Sequence, residues 1–592
     1  MPFSPMNDQF PCKANPLDGS WPSESEWAAL NTSLDGRLLR TQPIASSCWH
    51  TTNLDSPFSC SAVQANWSSG LFHASTPESI DASIFANNSC LPSGVDGYLE
   101  GKGCRLGGLP SYIVNATTEQ YVATAMKWAT DHNVRIVVKG TGHDLNGRSS
   151  GAYGISIWTR HFNHLKRHTT WKVPGSNRTE DVFIAGSGLM WGDVLPEALH
   201  QGRVVTTGQD PSVGLGGYIQ GGGHGPLANT YGLAAQQVLQ ATIVTTEGQI
   251  LVLNECENTD LFWAIRGGGG GQYGVVTEYV IKYHPAPSNV VTGTLSLAPV
   301  DESRANASWN GAAVLFRHLP DLMDAGLAGA MSMASGSTAS RFNPSLPNGT
   351  NGASVTQVFW AFNTTAEQVQ DLVRPVIDKM RVYGNKSTLS ITFDPKDVGD
   401  YSAFYSAISG SNTAGQGGIS SSRLLGRDEL LESRHDSLVS YLRRTTAAQN
   451  QTAGTFLTVG LSGGPGVINT PDYRWGALNP SWHKAYLHLL VGGASTSPNE
   501  TTSPSQALSK NAEWIEENKE KLWRKWAPDM GAYMNEANPY NSNWKQDFYG
   551  SSYHRLLEIK KKYDPAESLF VLSGVGSDGW KYDLQDGTLC RV

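Results

Sequence analysis

Apolar residues recur at helical spacing in several separate stretches of the chain. In "WPSESEWAALNTSL", Trp27, Leu30 and Leu34 share one stripe behind Ser23, a residue suited to capping a helix start. In "TTEQYVATAMKWATDHN", Tyr121, Val122, Ala125, Met126 and Ala129 form an amphipathic face. That segment feeds "VRIVVKG", a β-branched run of the kind buried on both faces. The alternation predicts α/β packing around residues 110–160. Two more strands, "LQATIVTTEG" and "GVVTEYVIKY", flank a helix start, "NTDLFWAIRGGGGG".

Beyond Pro287 the texture changes. Amphipathic helices ("AEQVQDLVRPVIDKM", "RDELLESRHDSLVSYLRRT") alternate with strands ("ASVTQVFWAFN", "TFLTVGLSGG", "KAYLHLLVGG") and polar loops. This predicts a second α+β lobe whose loops border an entrance. The tail, "WKQDFYGSSYHRLLEIKKKYDP", reads as one helix that buries Phe548, Tyr549, Tyr553, Leu556 and Ile559 and stops at Pro565. The first 105 residues read as a loop-rich cap with short helices.

Composition narrows the function classes. At 592 residues, with 39% hydrophobic and 16% charged positions, the chain is globular and too long for one simple core. A net charge of −8 offers no basic field, so no nucleic acid is expected. No apolar run nears the roughly 20 residues that span a bilayer, so no membrane partner is expected. A monomer is the expected assembly.

Five cysteines, Cys12, Cys48, Cys60, Cys90 and Cys104, crowd the first fifth, with Cys256 and Cys590 elsewhere. That block would be helped by disulfides, and an odd total leaves one thiol free. No C-x-x-C pair is present, and no metal site is expected. N-x-S/T triplets occur at Asn31, Asn66, Asn87, Asn115, Asn177, Asn306, Asn348, Asn363, Asn385, Asn450 and Asn499. Cysteines and triplets together indicate a secreted or secretory-pathway glycoprotein, although "MPFSPMNDQF" carries no signal-peptide pattern.

Three glycine-rich tracts, "VVKGTGHDLNGRSSG", "GQDPSVGLGGYIQGGGHGPLANTYG" and "RGGGGG", could cradle a dinucleotide through backbone N–H groups. Neither G-x-G-x-x-G at a strand–helix junction nor a P-loop pattern is present. Glycines that merely mark turns are the other reading. One imidazole, His143, stands in the middle of the first tract.

These tracts, with "DLFWAIRGGGGGQYGVVTEY" and "AYMNEANPYNSNWKQDFYGSSYHRLLEIKKKYDP", resemble the fungal berberine-bridge-enzyme-like flavoproteins, of vanillyl-alcohol-oxidase (VAO) type. "WPSESEWAALNTSLDGRL" is similar to their isoamyl-alcohol-oxidase-like subgroup. The resemblance spans residues 20–285 and 530–575. It implies an α+β chain. A disulfide-containing extension would cover residues 1–105, and a PCMH-type (VAO-type) two-subdomain FAD-binding domain 106–288. An α+β substrate-binding domain with an antiparallel sheet would cover 289–512. A berberine-bridge-like segment, 513–592, would return to the FAD domain.

By the same resemblance His143 bonds covalently to the 8α-methyl of FAD, acting as a neutral, nucleophilic imidazole. Gly140, Thr141, Gly142, Asp144, Gly147, Arg148 and Ser149 would hold the pyrophosphate. Gly208, Gly214, Gly217, Gly221 and Gly225 would line the flavin and ribityl chain, and Val275 backbone would meet the adenine. Relatives often carry a cysteine that makes a second flavin bond where this chain has Asp210, so attachment through His143 alone is expected. Asp210 lines the site or is a turn acid before Pro211. Val213 falls at the position thought to admit O2, which implies an oxidase.

The glutamate base of many relatives has no counterpart here, because Gly476, Ala477 and Leu478 precede Asn479-Pro480. The tail offers a substitute. Tyr533 and Asn535 would alternate onto one face of a strand beside the flavin. Glu536 replaces an aromatic; it is either a carboxyl of raised pKa acting as acid or base, or an uninvolved strand-end residue. His224 reads as packing or flavin hydrogen bonding before acid–base work. Tyr486 and His488 share a face of "KAYLHLL" and either enter the pocket or fill it. The function so implied is an FAD-linked oxidase of a small alcohol or secondary metabolite, producing H2O2. The alternative is a redox-neutral isomerase or cyclase of a fungal natural product that uses Glu536 on the same scaffold.

Overall fold

The computed structural model describes residues 11–50, 53–300, 302, 305–346, 349–415, 418–495 and 497–592. Asn348, one of the glycosylation triplets, lies outside them.

A four-stranded sheet opens the fold, in the order Leu38–Arg40, Tyr112–Asn115, Ile155–Trp158, Ile136–Lys139. Its last three strands run parallel. The helix Glu119–Asp131 supplies the connection that parallel strands need. Thr118 caps that helix, and Val122, Ala125, Met126 and Ala129 are its buried stripe, as their spacing predicts. The first helix, Glu24–Ser33, begins in a Ser23–Glu26 capping box and buries Trp27 and Leu30 in the same core.

A second, antiparallel sheet follows: Leu165–Lys172, Thr179–Gly186, Val275–Lys282, Val238–Val244, Ile250–Leu253. The other lobe is built on seven antiparallel strands, with Thr350–Phe362 near the centre and Ser421–Gly426 at one edge. The helices Asn306–Asp324, Ala366–Arg381 and His435–Thr445 contribute Leu315, Phe316, Val373, Leu438 and Leu442 to its apolar core. Another apolar cluster crosses between lobes, joining Tyr279 and Phe183 to Trp360, Phe404 and the tail residues Phe548, Tyr549 and Leu556.

The tail departs from the single helix its pattern suggests. Gly550 takes φ +54°, which breaks the helical path, and regular helix begins only at Tyr553 and ends at Tyr563. The expected apolar set, Phe548, Tyr549, Tyr553, Leu556 and Ile559, is nevertheless buried.

Disulfides join Cys48 to Cys60 and Cys90 to Cys104, while Cys12 pairs with Cys590 and ties the two ends of the chain together. Cys256 is the free, exposed thiol. Asn115 ends a strand, half-buried, with its side-chain oxygen covered. Among the described residues no helix is long and apolar enough to cross a membrane.

Candidate active site

The loop after Ile136–Lys139 turns at Gly142 (φ +82°) and Gly147 (φ +72°), where a side chain would be strained. Asp144 braces this loop from within. Its carboxylate accepts the backbone N–H groups of Asn146 (3.1 Å) and Arg148 (2.6 Å) and the Arg148 Nε–H (2.8 Å). A carboxylate so engaged, and of the wrong sign for a diphosphate, organises the cradle. The charge this loop can offer to an anion is Arg148. That guanidinium also reaches the tail, donating to the Asn535 side-chain oxygen at 3.1 Å. Asn146, absent from the sequence reading, donates to the Met534 carbonyl at 3.2 Å.

The N-terminal extension closes the other side of the loop. Asp81 N–H donates to the Gly142 carbonyl, Lys139 Nζ donates to the carbonyls of His73 and Thr76, and Phe85 packs where a Gly147 side chain would stand. Asp81 thereby reaches the site although it lies far from every glycine motif.

His143 stands between two aspartates. Its Nε2 is 3.2 Å from Asp210 Oδ2 and its Nδ1 is 3.7 Å from Asp81 Oδ2. Asp210 also accepts the Ser212 N–H (2.8 Å), the Ser212 hydroxyl (2.6 Å) and the Asn412 N–H (2.7 Å). It is turn acid and site wall at once. Burial pushes its pKa up, but His143, Ser212 and Asn412 together hold it down to about 2. Asp81 has only His143 and Lys139 against the cost of burial, and is pushed up to about 6. For His143 burial pulls downward, yet the two aspartates raise it above its ordinary value. The two aspartates thus make this ring more basic than a free imidazole.

The glycines divide into two kinds. A side chain at Gly217 would meet no atom within 4 Å, and one at Gly140 only Thr159, at 3.8 Å. These two border open space. By contrast Gly221 is backed by the Asn535 side chain, Gly225 by the Thr207 carbonyl and Gly214 by Thr141 at 3.0 Å. Gly208 supplies its carbonyl to the Tyr405 hydroxyl at 3.0 Å. Val213 is half-buried, just before the helix Leu215–Gly221. Val275 is fully buried and paired with Val244 in the five-stranded sheet, and Ser149 is half-buried in the loop. Open glycines beside Arg148 and His143 suit a flat ring system carrying a diphosphate.

The tail forms the facing wall. Tyr533 and Asn535 do not alternate along a strand, since Met534–Glu536 is one short 3₁₀ turn. The turn folds Asn535 back so that its Nδ2 donates to the Tyr533 hydroxyl (2.9 Å) and the Gly217 carbonyl (3.1 Å). Glu536 instead faces two imidazoles, with Oε1 3.5 Å from His224 Nε2 and Oε2 3.7 Å from His488 Nδ1. Burial pushes its carboxyl up, but His224 and His488 outweigh it and hold it down to about 2, the reverse of the expected shift. Tyr486 does not join His488. The strand register shifts between Leu425 and Gly426, leaving Tyr486 between paired neighbours, and its hydroxyl donates to Asp324 at 2.9 Å.

Two subdomain sheets, a glycine-lined cleft and a second antiparallel lobe closing over it define an FAD-binding oxidoreductase. Residues 110–254 match the FAD binding domain family, and residues 532–570 match the family described as berberine and berberine like. The VAO-type flavoprotein oxidase VAO615 of Thermothelomyces thermophilus is 32% identical, over 98% of this chain and 95% of its own. The bifunctional decalin synthase calF of Penicillium decumbens is 30% identical, over 98% and 96%. The crystal structure of the VAO-type flavoprotein MtVAO713 from Myceliophthora thermophila C1 superposes with a TM-score of 0.87 at 30% identity, covering 98% of this chain and all of that one. The chain belongs to the berberine-bridge-like, VAO-type FAD-linked oxidoreductases.

Proposed function

We propose that this enzyme is an oxidase that carries FAD on His143 alone and oxidises a small alcohol or secondary metabolite. The observation that carries the reading is the clamp on His143: a buried imidazole at the cleft, held between Asp210 and Asp81. When bound, FAD would supply a two-electron acceptor for the hydride of the substrate carbon, with O2 as the terminal acceptor reduced to H2O2. Asp210 holds the Nε2 proton and orients the ring, which leaves Nδ1 as the bonding atom. Arg148 and the backbone around Gly142 hold the diphosphate. At the far wall Glu536, kept ionised by His224 and His488, accepts the hydroxyl proton of the substrate. The name of VAO615 as an oxidase and the half-buried Val213 support O2 as acceptor.

The three disulfides and the N-x-S/T triplets support a secreted glycoprotein. Acid precipitation of the pure protein tests the linkage. Flavin should stay with the pellet, and its complete release would refute the bond to His143.

The relationship to decalin synthase calF supports a second, redox-neutral reading in which the scaffold isomerises or cyclises a natural product. Glu536, held as a carboxylate, is poorly suited to donate a proton in such a reaction. Full product yield under anaerobic conditions, with the flavin remaining oxidised, would select this reading over the first.

A further inference from the structure

We propose that His224, His488 and Glu536 bind a divalent transition-metal ion on the substrate side of the cleft. The inference rests on the oxidase reading only for its use, since the ion would take a substrate oxygen as its remaining ligand.

The three side chains come from different parts of the chain: a turn after the glycine helix, a central stretch of the strand Ala485–Val491, and the tail turn. Their ligand atoms all lie within 4.8 Å of one another. Each carboxylate oxygen faces a separate imidazole nitrogen, at 3.5 Å and 3.7 Å. Both separations exceed the hydrogen-bond range of about 2.7–3.2 Å. They lie near the edge of a tetrahedron with metal–ligand bonds of about 2.0–2.2 Å, which is roughly 3.4 Å. The spacing is too wide for direct hydrogen bonds and close to that of ligands around one ion.

One further observation points the same way. His488 is only 3% exposed, and the nitrogen it turns to Glu536 is Nδ1. His224 has its far nitrogen fixed: Nδ1 lies 3.1 Å from the Ser462 hydroxyl. That outer contact sets the ring so that Nε2 faces inward, as in histidines that ligate metals. Two imidazole nitrogens and one carboxylate favour zinc or a neighbouring first-row ion over calcium or magnesium, which take oxygen ligands. Three protein ligands leave a position open, the arrangement of a reactive rather than a closed structural site. In the metal-bound state Glu536 is a ligand and no longer the proton acceptor, so the two states of the site are mutually exclusive.

The test uses the flavin-loaded protein, stripped with a chelator and titrated with Zn²⁺ and separately with Co²⁺. One equivalent should bind with a Kd below about 1 µM, and the Co²⁺ form should show the visible absorption of a low-coordinate site. H488L and E536Q should each weaken Zn²⁺ binding at least 100-fold, and Ser462→Ala, which leaves all three ligands in place, 10- to 100-fold. Wild-type protein that keeps its flavin but binds neither ion below 100 µM overturns the proposal, as does unchanged affinity in all three variants. The oxidase reading is judged separately by peroxide release. Peroxide without ion binding sinks the metal site alone. Tight ion binding, together with no peroxide from any alcohol when the chelator-stripped protein is assayed, supports the metal site and counts against the oxidase.

Discussion

The two ends of the cleft combine the same two chemical groups in inverse proportion. At the loop end one imidazole, His143, stands between the carboxylates Asp210 and Asp81; at the tail end one carboxylate, Glu536, stands between the imidazoles His224 and His488. Burial opposes charge at both, yet the two flanking groups outweigh it in each: His143 is raised and Glu536 lowered. The majority groups split. Asp210, with three additional hydrogen bonds, is held at about 2, whereas Asp81 without them rises to about 6. At the tail end burial pushes His488 down to about 4. The lesson of the loop end is that a neighbour of opposite charge is not enough; the additional hydrogen bonds to Asp210 decide which of the two aspartates stays ionised.

The largest expected effect separates the two ends outright. His143→Ala should abolish acid-stable flavin, measured as loss of the mass increment on the peptide carrying the loop, while Glu536 stays in place. Retention of that increment in the variant would break the division of labour between the ends. Next, Glu536→Gln should leave flavin attachment intact but slow anaerobic flavin reduction by about 100- to 1,000-fold, the usual worth of a positioned proton acceptor. Equal loss of attachment would mean that the tail end also serves the linkage.

A smaller effect is expected from Asp210→Asn, which should slow covalent attachment about 10-fold, read from the time course of acid-stable flavin in apoprotein. The same variant has a stability signature. Asp210 falls from an ordinary value of 3.8 to about 2, so its contribution is complete above 3.8 and is lost as pH falls through 2. That difference is worth about 2 kcal/mol and should vanish from the acid limb of thermal unfolding. His143 contributes with the opposite sign, since a raised imidazole stabilises fully below 6.5 and loses its contribution as pH rises. Asp81→Asn should have the smallest effect, about a 3-fold slower attachment, because its oxygen stands 3.7 Å from the ring and it makes no short bond to it. An effect larger than that of Asp210→Asn would reverse the ranking of the two aspartates.

Much of the scaffold could be read from the chain because its signals are local. The Ser23 cap and the stripe from Val122 to Ala129 form helices where their periodicity places them. The strand Ile136–Lys139 leads directly into the turn holding His143. Other expectations failed where one residue overrode a pattern. Gly550 interrupts the tail helix, a bulge turns Tyr486 from the face of His488, and a short 3₁₀ turn replaces the strand expected at Tyr533. Asp81, Asn146 and Ser462 carried no motif that could have announced them. Their roles come from contacts across 62, 388 and 238 residues of sequence, to His143, Met534 and His224.

The sequence alone determined the helices, the strands, the glycine turns and the position of the one histidine set among them, since propensity and periodicity act over a few neighbouring residues. Only the tertiary structure decided which carboxylate meets which imidazole, and therefore which groups are charged. Burial and pairing depend on distances of a few ångströms between segments hundreds of residues apart, and no local pattern encodes them.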